Sequence, residues 1–310
     1  MALDLSELLV CVRCGAPLPP ETTWESTGTR CSGCGTAVPV IRGIPRFVTS
    51  DAYTASFSFE WNRHRKTQLD DASSRESEET FRAKTGLYPE EVAGRLVLDV
   101  GCGMGRFADV VSRWGGRVIG IDLSLAVEAA HANLGGRETV RILQADLFHL
   151  PFRPETFDIV YSLGVLHHTP DCEKAFKTLI RLVRPGGRVC VWVYGYLGAW
   201  ARVARIYRRM TVRMPPRLLH ALCHFAIPWY HVCRLPLVGG LFFTLVPTAE
   251  HQKPAWRVLD TFDWYSPQYQ SLHTFPEVYR WFTSEGLTDI QLLDSPVALS
   301  GRRQSPGERP

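Results

Sequence analysis

Short apolar runs alternate with amphipathic stretches through the middle of the chain. The apolar runs are candidate strands at residues 96–100, 117–121, 140–143, 157–162 and 188–193. Stretches with helical spacing of apolar residues separate some of them, at residues 106–114, 125–134 and 172–183. Strand and helix alternating at this spacing are typical of a parallel sheet that helices cover on both faces. The pattern therefore predicts an α/β fold built on a doubly wound, mostly parallel sheet.

Proline, glycine and capping residues mark the ends of several predicted elements. Arg184-Pro185-Gly186-Gly187 should end the helix at residues 172–183, because proline and paired glycines stop helices firmly. Thr274 followed by Glu277 has the pattern of a capping box, which predicts a short helix that Gly286 closes. A last strand is expected at residues 290–293.

Composition divides the chain into segments. Residues 1–50 contain cysteine pairs, prolines and short apolar runs, which suit a small module of hairpins better than helices. Residues 51–94 are polar and charged and predict a helical lead-in to the α/β domain, which we place at residues 95–300. Within it, residues 196–256 form a helical insertion that the fold does not require. Residues 301–310 are rich in Arg, Ser, Pro and Gly and predict a disordered tail.

Four of the nine cysteines form two closely spaced pairs, Cys11 with Cys14 and Cys31 with Cys34. Two residues separate the members of each pair, so two tight turns can complete a closed tetrahedron around a structural zinc ion. The alternative is a redox or disulfide framework. Zinc is favoured because the other five cysteines are scattered, as in a reducing compartment, and because so small a module needs a staple.

A glycine-rich turn follows the first predicted strand of the α/β domain. Gly101, Gly103 and Gly105 lie between an apolar strand and a helix, where glycine lets the backbone approach a ligand closely. A dinucleotide fingerprint would place its third glycine one residue later, so a nicotinamide cofactor is disfavoured. Asp122 and Asp146 end the next two strands, where carboxylates can bind ribose hydroxyls and an adenine amino group. Each acid alone would more often be a solvated carboxylate or a helix cap.

Four blocks of the sequence resemble the class I S-adenosylmethionine-dependent methyltransferases: residues 98–107, 119–124, 157–171 and 182–193. The resemblance spans about residues 57–300 and implies a seven-stranded Rossmann-like fold, methyl transfer, and S-adenosyl-L-methionine as cofactor. In that family the residue matching Asp99 organises the glycine turn and the methionine amino group, and those matching Asp122 and Asp146 hold ribose and adenine. The implied cofactor-binding residues are Asp99, Gly101, Cys102, Gly103, Gly105, Asp122, Leu123, Asp146, Leu147, Ser162 and Leu163.

Residues 157–170 resemble the subgroup that methylates oxygen, nitrogen or carbon of small molecules and lipids. They lack the Asn/Asp-Pro-Pro-Tyr tetrapeptide often used on exocyclic amines of nucleobases. His167 and His168 end the fourth strand, and either could remove a proton from a hydroxyl acceptor, because imidazole titrates near neutral pH. The alternative is that both only shape the pocket wall and cap the next helix.

A second candidate for the acceptor site is the aromatic-rich segment at residues 260–274. Its Asp263, Tyr265 and His273 would suit a hydroxylated, partly flat substrate. The alternative is a surface loop that its aromatic rings hold to the core. The first 50 residues resemble, in turn, the small zinc-ribbon proteins and domains attached to certain methyltransferases, down to the exit segment Gly43-Ile44-Pro45-Arg46-Phe47.

The insertion contains a basic amphipathic stretch followed by two apolar stretches. In residues 200–214 the pattern predicts one helix with Trp200, Val203, Tyr207, Met210 and Met214 on one face and arginines roughly opposite. Residues 218–233 and 235–246 are apolar but too short and interrupted to span a bilayer. Three interpretations stay open: a lid over a hydrophobic substrate, an anchor on anionic lipids, and a homodimer contact.

A formal net charge of +4 is too mild to indicate nucleic acid by itself. The start of the chain lacks the basic and apolar regions of a secretory signal, so we expect a cytoplasmic protein, peripheral to the inner face of the membrane if the insertion binds lipid. The predicted function is methyl transfer, first to oxygen and otherwise to nitrogen or carbon, of a small-molecule, saccharide or lipid-linked substrate in biosynthesis. The alternatives are a zinc-ribbon-containing RNA methyltransferase and a non-catalytic methyltransferase-like scaffold.

Overall fold

The computed structural model describes residues 3–48, 52–71, 74–196 and 198–305. Its larger sheet has seven strands: β4 (Leu96–Val100), β5 (Arg117–Asp122), β6 (Val140–Gln144), β7 (Phe157–Leu163), β8 (Val183–Trp192), β9 (Leu287–Leu292) and β10 (Ala298–Arg303). Their order is β6-β5-β4-β7-β8-β10-β9. Strands β4 to β8 are parallel, and β10 lies antiparallel between β8 and β9. The predicted doubly wound, mostly parallel sheet of seven strands is confirmed.

Helices cover both faces of this sheet. Those that pack on it are α2 (Glu76–Thr85), α3 (Pro89–Val92), α4 (Arg106–Arg113), α5 (Ala126–Leu134), α6 (Cys172–Ile180) and α12 (Phe275–Ser284). Two further helices, α1 (Ala55–Arg63) and α11 (Pro254–Tyr265), pack mainly against each other and against neighbouring helices. Successive residues of β4 enter different cores: Leu98 shares one with Phe176 of α6, and Val97 shares the other with Phe81 of α2. Burial on both faces explains why these strands read as unbroken apolar runs.

Three predicted boundaries are wrong. Helix α6 ends at Ile180, and Pro185 and the two glycines after it lie inside β8, where the register against β7 shifts. Strand β9 begins at Leu287, three residues before the expected start. The expected disordered tail contains the end of β10, because the Arg303 guanidinium donates to the Val183 carbonyl at 2.6 Å and pairs with Glu155. Residues 306–310 of that expected tail lie outside the described residues.

The cysteine-containing segment forms a small antiparallel sheet of β1 (Gly28–Arg30), β2 (Ala37–Ile41) and β3 (Ile44–Pro45). This segment is hydrogen-bonded to the larger sheet near its β6 edge: the Phe47 N–H donates to the Gln144 carbonyl, and the Val10 N–H donates to the Pro151 carbonyl. Leu5 and Leu9 are buried in the same core as Leu98. The segment therefore covers one edge of the larger sheet, a position that otherwise leaves backbone groups exposed.

The insertion forms four helices, α7 (Ala199–Thr211), α8 (Pro216–Cys223), α9 (Ala226–Val232) and α10 (Gly239–Leu245). On the first of these helices, Tyr207 and Met210 of the predicted apolar face are exposed, whereas Arg208 is buried. The Arg208 guanidinium donates to the carbonyls of Trp264 and Pro267, which lie at and just past the end of α11. Carbonyls at a helix C-terminus lack intrahelical donors, so a buried arginine satisfies them. Within the described residues, no helix is long and apolar enough to cross a membrane.

Candidate active site

The turn after β4 contains three glycines because its backbone adopts positive φ angles, which other residues rarely adopt. Gly101, Gly103 and Gly105 have φ angles of +80°, +53° and +89°. A Cβ at Gly101 would lie 2.3 Å from Val165 Cγ2, and one at Gly105 would lie 2.7 Å from Leu134 Cδ1. The turn therefore needs glycine both for its conformation and for the space around it.

Two carboxylates at the ends of neighbouring strands lie beside this turn. Asp122, the last residue of β5, accepts a hydrogen bond from the Gly103 N–H at 3.0 Å and two from Ser124. Burial raises the pKa of Asp122, and these hydrogen bonds oppose the rise. Asp146, just after β6, accepts from the Phe148 N–H at 2.9 Å. Both carboxylates lie at the carboxyl edge of the parallel strands, where open α/β sheets bind their ligands.

A cavity of about 530 Å³ runs along this edge, a size typical of small-molecule sites. Most residues expected to bind the cofactor line it: Gly101, Cys102, Gly103, Asp122, Leu123, Asp146, Leu147 and Leu163. The structure does not bring Asp99, Gly105 or Ser162 to the cavity wall. Asp99 is buried within β4, where burial raises its pKa to about 7, and the Ser162 hydroxyl donates to the Val100 carbonyl.

The two histidines after β7 occupy different environments, although they are adjacent in sequence. His167 does not reach the cavity: its ring stacks on Tyr194 with centroids 3.8 Å apart, and its Nδ1 accepts from the Tyr194 N–H. His168 lines the cavity, and its Nδ1 lies 3.0 Å from the Tyr269 carbonyl oxygen. Because a carbonyl only accepts, Nδ1 of His168 carries the proton and Nε2 keeps its lone pair. Burial lowers the pKa of His168, which favours this neutral form.

Asp263 on α11 lies next to the His168 ring. Its Oδ1 is 3.9 Å from His168 Nε2, too far for a hydrogen bond, and that nitrogen has no hydrogen-bond partner in the described part of the chain. The Tyr194 hydroxyl donates to Asp263 Oδ2 at 2.5 Å and fixes the carboxylate. The arrangement combines a free imidazole lone pair with a carboxylate close enough to stabilise a positive charge on the ring.

Several further ionisable side chains line the cavity, among them Glu60, Asp260, Lys84 and Arg106. Burial, together with Asp263 and Asp260, raises the pKa of Glu60 well above its usual range, and neither Glu60 carboxyl oxygen has a hydrogen-bond partner among the described residues. Burial raises the pKa of Asp260 to about 6 and lowers that of Lys84 to about 7. Burial also lowers the pKa of Arg106 to about 10. Strongly shifted pKa values gathered in one cleft are typical of a functional site.

Of the three residues expected to contact a substrate, only Asp263 lines the cavity. The Tyr265 hydroxyl donates to the Pro247 carbonyl at 2.7 Å, and Tyr265 is buried at the end of α11. His273 is buried between Glu277 and Ser271, with ring nitrogens 2.8 and 2.7 Å from their oxygens. Both side chains therefore hold the structure together at a distance from the cavity. The surface-loop alternative is also incorrect for the first part of this segment, which is helical through Tyr265.

Aromatic rings from distant segments line the cavity, and two of them, Phe57 and Trp61, were not predicted to lie there. Phe57 and Trp61 lie one turn apart on α1, with the Phe57 ring 5.3 Å from that of His168 and the Trp61 ring against the glycine turn. Trp200 of α7 stacks on Trp264 of α11 at 4.9 Å. The i, i+4 spacing of Phe57 and Trp61 within a polar segment is the signal that could have found the first pair.

The sulfurs of the four N-terminal cysteines converge on one point. The Sγ atoms of Cys11 and Cys34 are 3.6 Å apart, as are those of Cys14 and Cys31, and all four lie within 4.8 Å of one another. A tetrahedral zinc with bonds of ~2.3 Å would place its sulfurs ~3.8 Å apart. The glycine after each pair has a φ of +72° and donates its N–H to the first cysteine carbonyl at 2.9 Å. Two matching turns thus present a donor set that fits zinc.

Comparison with known proteins agrees with this architecture. The model of a family described as a methyltransferase domain matches residues 98–191. A ubiquinone biosynthesis O-methyltransferase from Pseudomonas entomophila is 31% identical over 171 residues, which cover 52% of this chain and 73% of that protein. A demethylmenaquinone methyltransferase from Thermobifida fusca is 32% identical over 123 residues, which cover 39% of this chain and 52% of that protein.

Solved structures resemble the chain as well. An S-adenosylmethionine dependent methyltransferase from Mesorhizobium loti shares 20% identity with a TM-score of 0.44, and the match covers 74% of this chain and 99% of that one. Together, the matched family and the Pseudomonas relative confirm the resemblance inferred from the four sequence blocks. The chain belongs to the class I S-adenosylmethionine-dependent methyltransferases.

Proposed function

We propose that this enzyme methylates a hydroxyl oxygen of a flat, quinone-type small molecule. The observation that carries the proposal is the neutral ring of His168, which lines the cavity and whose Nε2, beside Asp263, has no hydrogen-bond partner among the described residues. A hydroxyl acceptor must lose its proton during transfer, and such a nitrogen can receive it. The names of the Pseudomonas and Thermobifida relatives, which refer to ubiquinone and demethylmenaquinone, support the class of acceptor.

The residues along the glycine turn would hold the cofactor, which supplies an electrophilic methyl group on a sulfonium. Asp122 would accept hydrogen bonds from the ribose hydroxyls, and Asp146 would lie by the adenine. Leu123, Leu147 and Leu163 would give the adenosine an apolar surface. Asp99, Gly105 and Ser162 would act as positioning residues that support the turn from outside the cavity.

His168 would act as the general base of the transfer. The hydroxyl proton would pass to Nε2 as the acceptor oxygen takes the methyl group that the cofactor would supply, and the products would be the methyl ether and S-adenosylhomocysteine. The hydrogen bond from Nδ1 to the Tyr269 carbonyl orients the ring. Asp263 stabilises the imidazolium that results, because opposite charges attract strongly in a site with little water.

Aromatic residues of the cavity would recognise the acceptor. Trp192, Trp200 and Trp264 line the cavity and suit the faces of a flat ring. The raised pKa of Glu60 makes it a neutral acid that can donate to a carbonyl or hydroxyl oxygen of that ring.

The proposal is tested by calorimetry with S-adenosylmethionine and by mass spectrometry of products formed from matched catechol and aniline acceptors. We expect cofactor binding that Asp122→Ala abolishes and that Glu79→Ala, on the exposed side of α2, leaves unchanged. Methyl transfer should occur on the catechol oxygen. Transfer to the aniline nitrogen alone would contradict the proposed base chemistry, and absent cofactor binding would contradict the proposed site.

We also propose that residues 1–50 are a zinc-ribbon domain in which the four thiolates hold a structural zinc ion. The sulfur separations and the matching turns support this. Metal analysis of the purified protein should return about one zinc per chain. Cys31→Ser should lose most of that metal, whereas Cys233→Ser, in the helical insertion, should keep it. A metal content far below one zinc per chain in the unmodified protein would refute the site.

A further inference from the structure

The helical insertion has an exposed apolar face that the proposed chemistry does not use. Twelve of the eighteen large apolar side chains exposed in the described part of the chain fall within residues 206–245. Six of them are leucines: Leu218, Leu222, Leu235, Leu237, Leu241 and Leu245. Single exposed apolar residues are ordinary on protein surfaces, but such a concentration indicates an interaction site.

The same segment has charge of one sign. Residues 199–246 contain seven arginines and neither aspartate nor glutamate. Arg208 is buried against the end of α11, and the other six are exposed: Arg202, Arg205, Arg209, Arg213, Arg217 and Arg234. Large apolar side chains combined with purely positive charge are typical of helices that lie on anionic lipid surfaces.

Leu237 is the most exposed side chain of this face, with a relative exposure of 105%. It precedes α10 and has a φ of +69°, a conformation that leucine adopts rarely.

Helix α10 packs against α7. The Tyr207 hydroxyl donates to the Leu245 carbonyl at 2.8 Å, and the centres of the Trp200 and Phe243 rings are 5.8 Å apart. The leucines near α10 therefore adjoin the exposed side of α7. We call these exposed side chains of residues 202–245 the insertion face.

We propose that the insertion face docks on the surface of an anionic lipid bilayer without crossing it. A second copy of the chain fits poorly, because a symmetric contact would place arginines near arginines with no acid from the insertion to pair them. RNA would engage the arginines but leave the leucines in water. A bilayer surface satisfies both, since headgroup phosphates pair with arginines and acyl chains accept leucines.

Docking would also bring the cavity to the lipid. Helix α7 lines the cavity with Trp200, Ala201 and Ala204, while Ile206 and Met210 of the same helix are exposed. A lipid-soluble acceptor could then pass from the bilayer beside α7 into the cavity. This last step rests on the proposed function, whereas docking itself does not.

Sedimentation of the full chain with vesicles tests the docking. We expect binding to vesicles of mixed phosphatidylcholine and phosphatidylglycerol, weakened by salt, and little binding to phosphatidylcholine alone. Replacing Leu237 and Leu241 together by serine should weaken partitioning about ten-fold or more, because leucine burial is lost. Leu292→Ser, on β9, where the leucine is about as exposed as Leu241, should have no effect. Arg205→Gln with Arg209→Gln should weaken binding on the order of ten-fold, and Arg153→Gln should not.

Three outcomes would contradict docking on a bilayer. Failure of the unmodified protein to sediment with anionic vesicles overturns the proposal, as does binding that the leucine pair does not affect. A dimer in analytical ultracentrifugation that the leucine pair dissociates would assign the face to a second copy. Vesicle binding is measured without acceptor, so its failure would leave methyl transfer to a water-soluble catechol intact. Unchanged cofactor affinity and unfolding temperature would show that the variants fold.

Discussion

The two proposed sites in the cavity are assembled differently. At the proposed cofactor site, here called the cofactor end, the glycine turn, Asp122 and Asp146 come from one continuous run of alternating strands and helices, and main-chain hydrogen bonds hold the carboxylates. At the proposed acceptor site, here called the acceptor end, Glu60, Lys84, His168 and Asp263 come from segments far apart in the chain, and burial shifts the pKa values of three of them.

This difference has a physical origin. A turn between a strand and a helix has few conformations, so its groups are placed by local geometry. Buried ionisable side chains are placed by packing from several elements, and their protonation depends on that packing. The cofactor end should therefore fail when backbone geometry is disturbed, and the acceptor end when a single side chain is changed.

The largest effect is expected at the acceptor end, from His168→Asn. The asparagine amide can still donate to the Tyr269 carbonyl but cannot accept the hydroxyl proton, so the rate of methyl transfer should fall about 10²–10⁴-fold. Cofactor affinity should stay unchanged. The measurement is single-turnover methylation of a water-soluble catechol, beside calorimetry with S-adenosylmethionine.

His231→Asn, an exposed histidine on α9, is the matched control and should keep the full rate. A rate within a few-fold of the unmodified enzyme for His168→Asn would show that the proton leaves by another route. His167→Asn should behave differently from both: it should lower stability through the lost stacking on Tyr194, with the chemistry affected only indirectly.

A smaller effect, at the cofactor end, is expected from Gly101→Ala. The added Cβ would meet Val165 Cγ2 at 2.3 Å in a left-handed backbone, so cofactor affinity should fall on the order of ten- to a hundred-fold and stability by about 2 kcal/mol. Calorimetry and urea unfolding measure both quantities. Gly136→Ala, where a Cβ would meet no atom within 4 Å, should change neither.

Adding Val165→Ala to the Gly101→Ala variant separates the two causes. If the collision dominates, the double variant should recover part of the lost affinity; if left-handed strain dominates, it should not. Full affinity in Gly101→Ala alone would show that the turn tolerates a side chain and that cofactor binding does not depend on this backbone geometry.

Much of the cofactor end could be predicted from the sequence, because the spacing of Gly101, Gly103 and Gly105 and the acids after the strands depend on local geometry. The two cysteine pairs could also be recognised from the sequence, since each pair needs only one tight turn. His167 and His168 were not distinguishable, because adjacent residues differ only in which neighbours the fold supplies.

In the helical insertion, too, the sequence could not show which side chains are buried. The helical pattern grouped Tyr207 with the apolar side chains of α7 but could not show that Arg208 is buried, because the carbonyls that accept from it lie at the end of the distant α11. On α11 itself, Asp263 lines the cavity whereas Tyr265 is directed to the Pro247 carbonyl. Which face of a helix meets a cavity depends on partners that lie far away in the chain.

The smallest effect expected is on stability, from Lys84→Met at the acceptor end. Burial lowers the pKa of Lys84 from 10.5 to about 7, while the Lys84 Nζ lies 3.1 Å from the centre of the Trp192 ring. Between these pKa values the unfolded chain binds more protons than the folded one, so the free energy of unfolding should rise with pH from about 7 to 10. At and below pH 7 the folded state bears the full cost of a buried ammonium.

Methionine at position 84 removes that cost but also the cation–π contact, so we expect stability to increase by about 1–2 kcal/mol at pH 7 and by less at pH 9.5. Urea unfolding at both pH values measures this, with Lys66→Met, an exposed lysine, as the control. If the free energy of unfolding depends on pH equally in Lys84→Met and in the unmodified protein, Lys84 is solvated or paired at neutral pH. Burial of its ammonium would then cost the folded state little free energy.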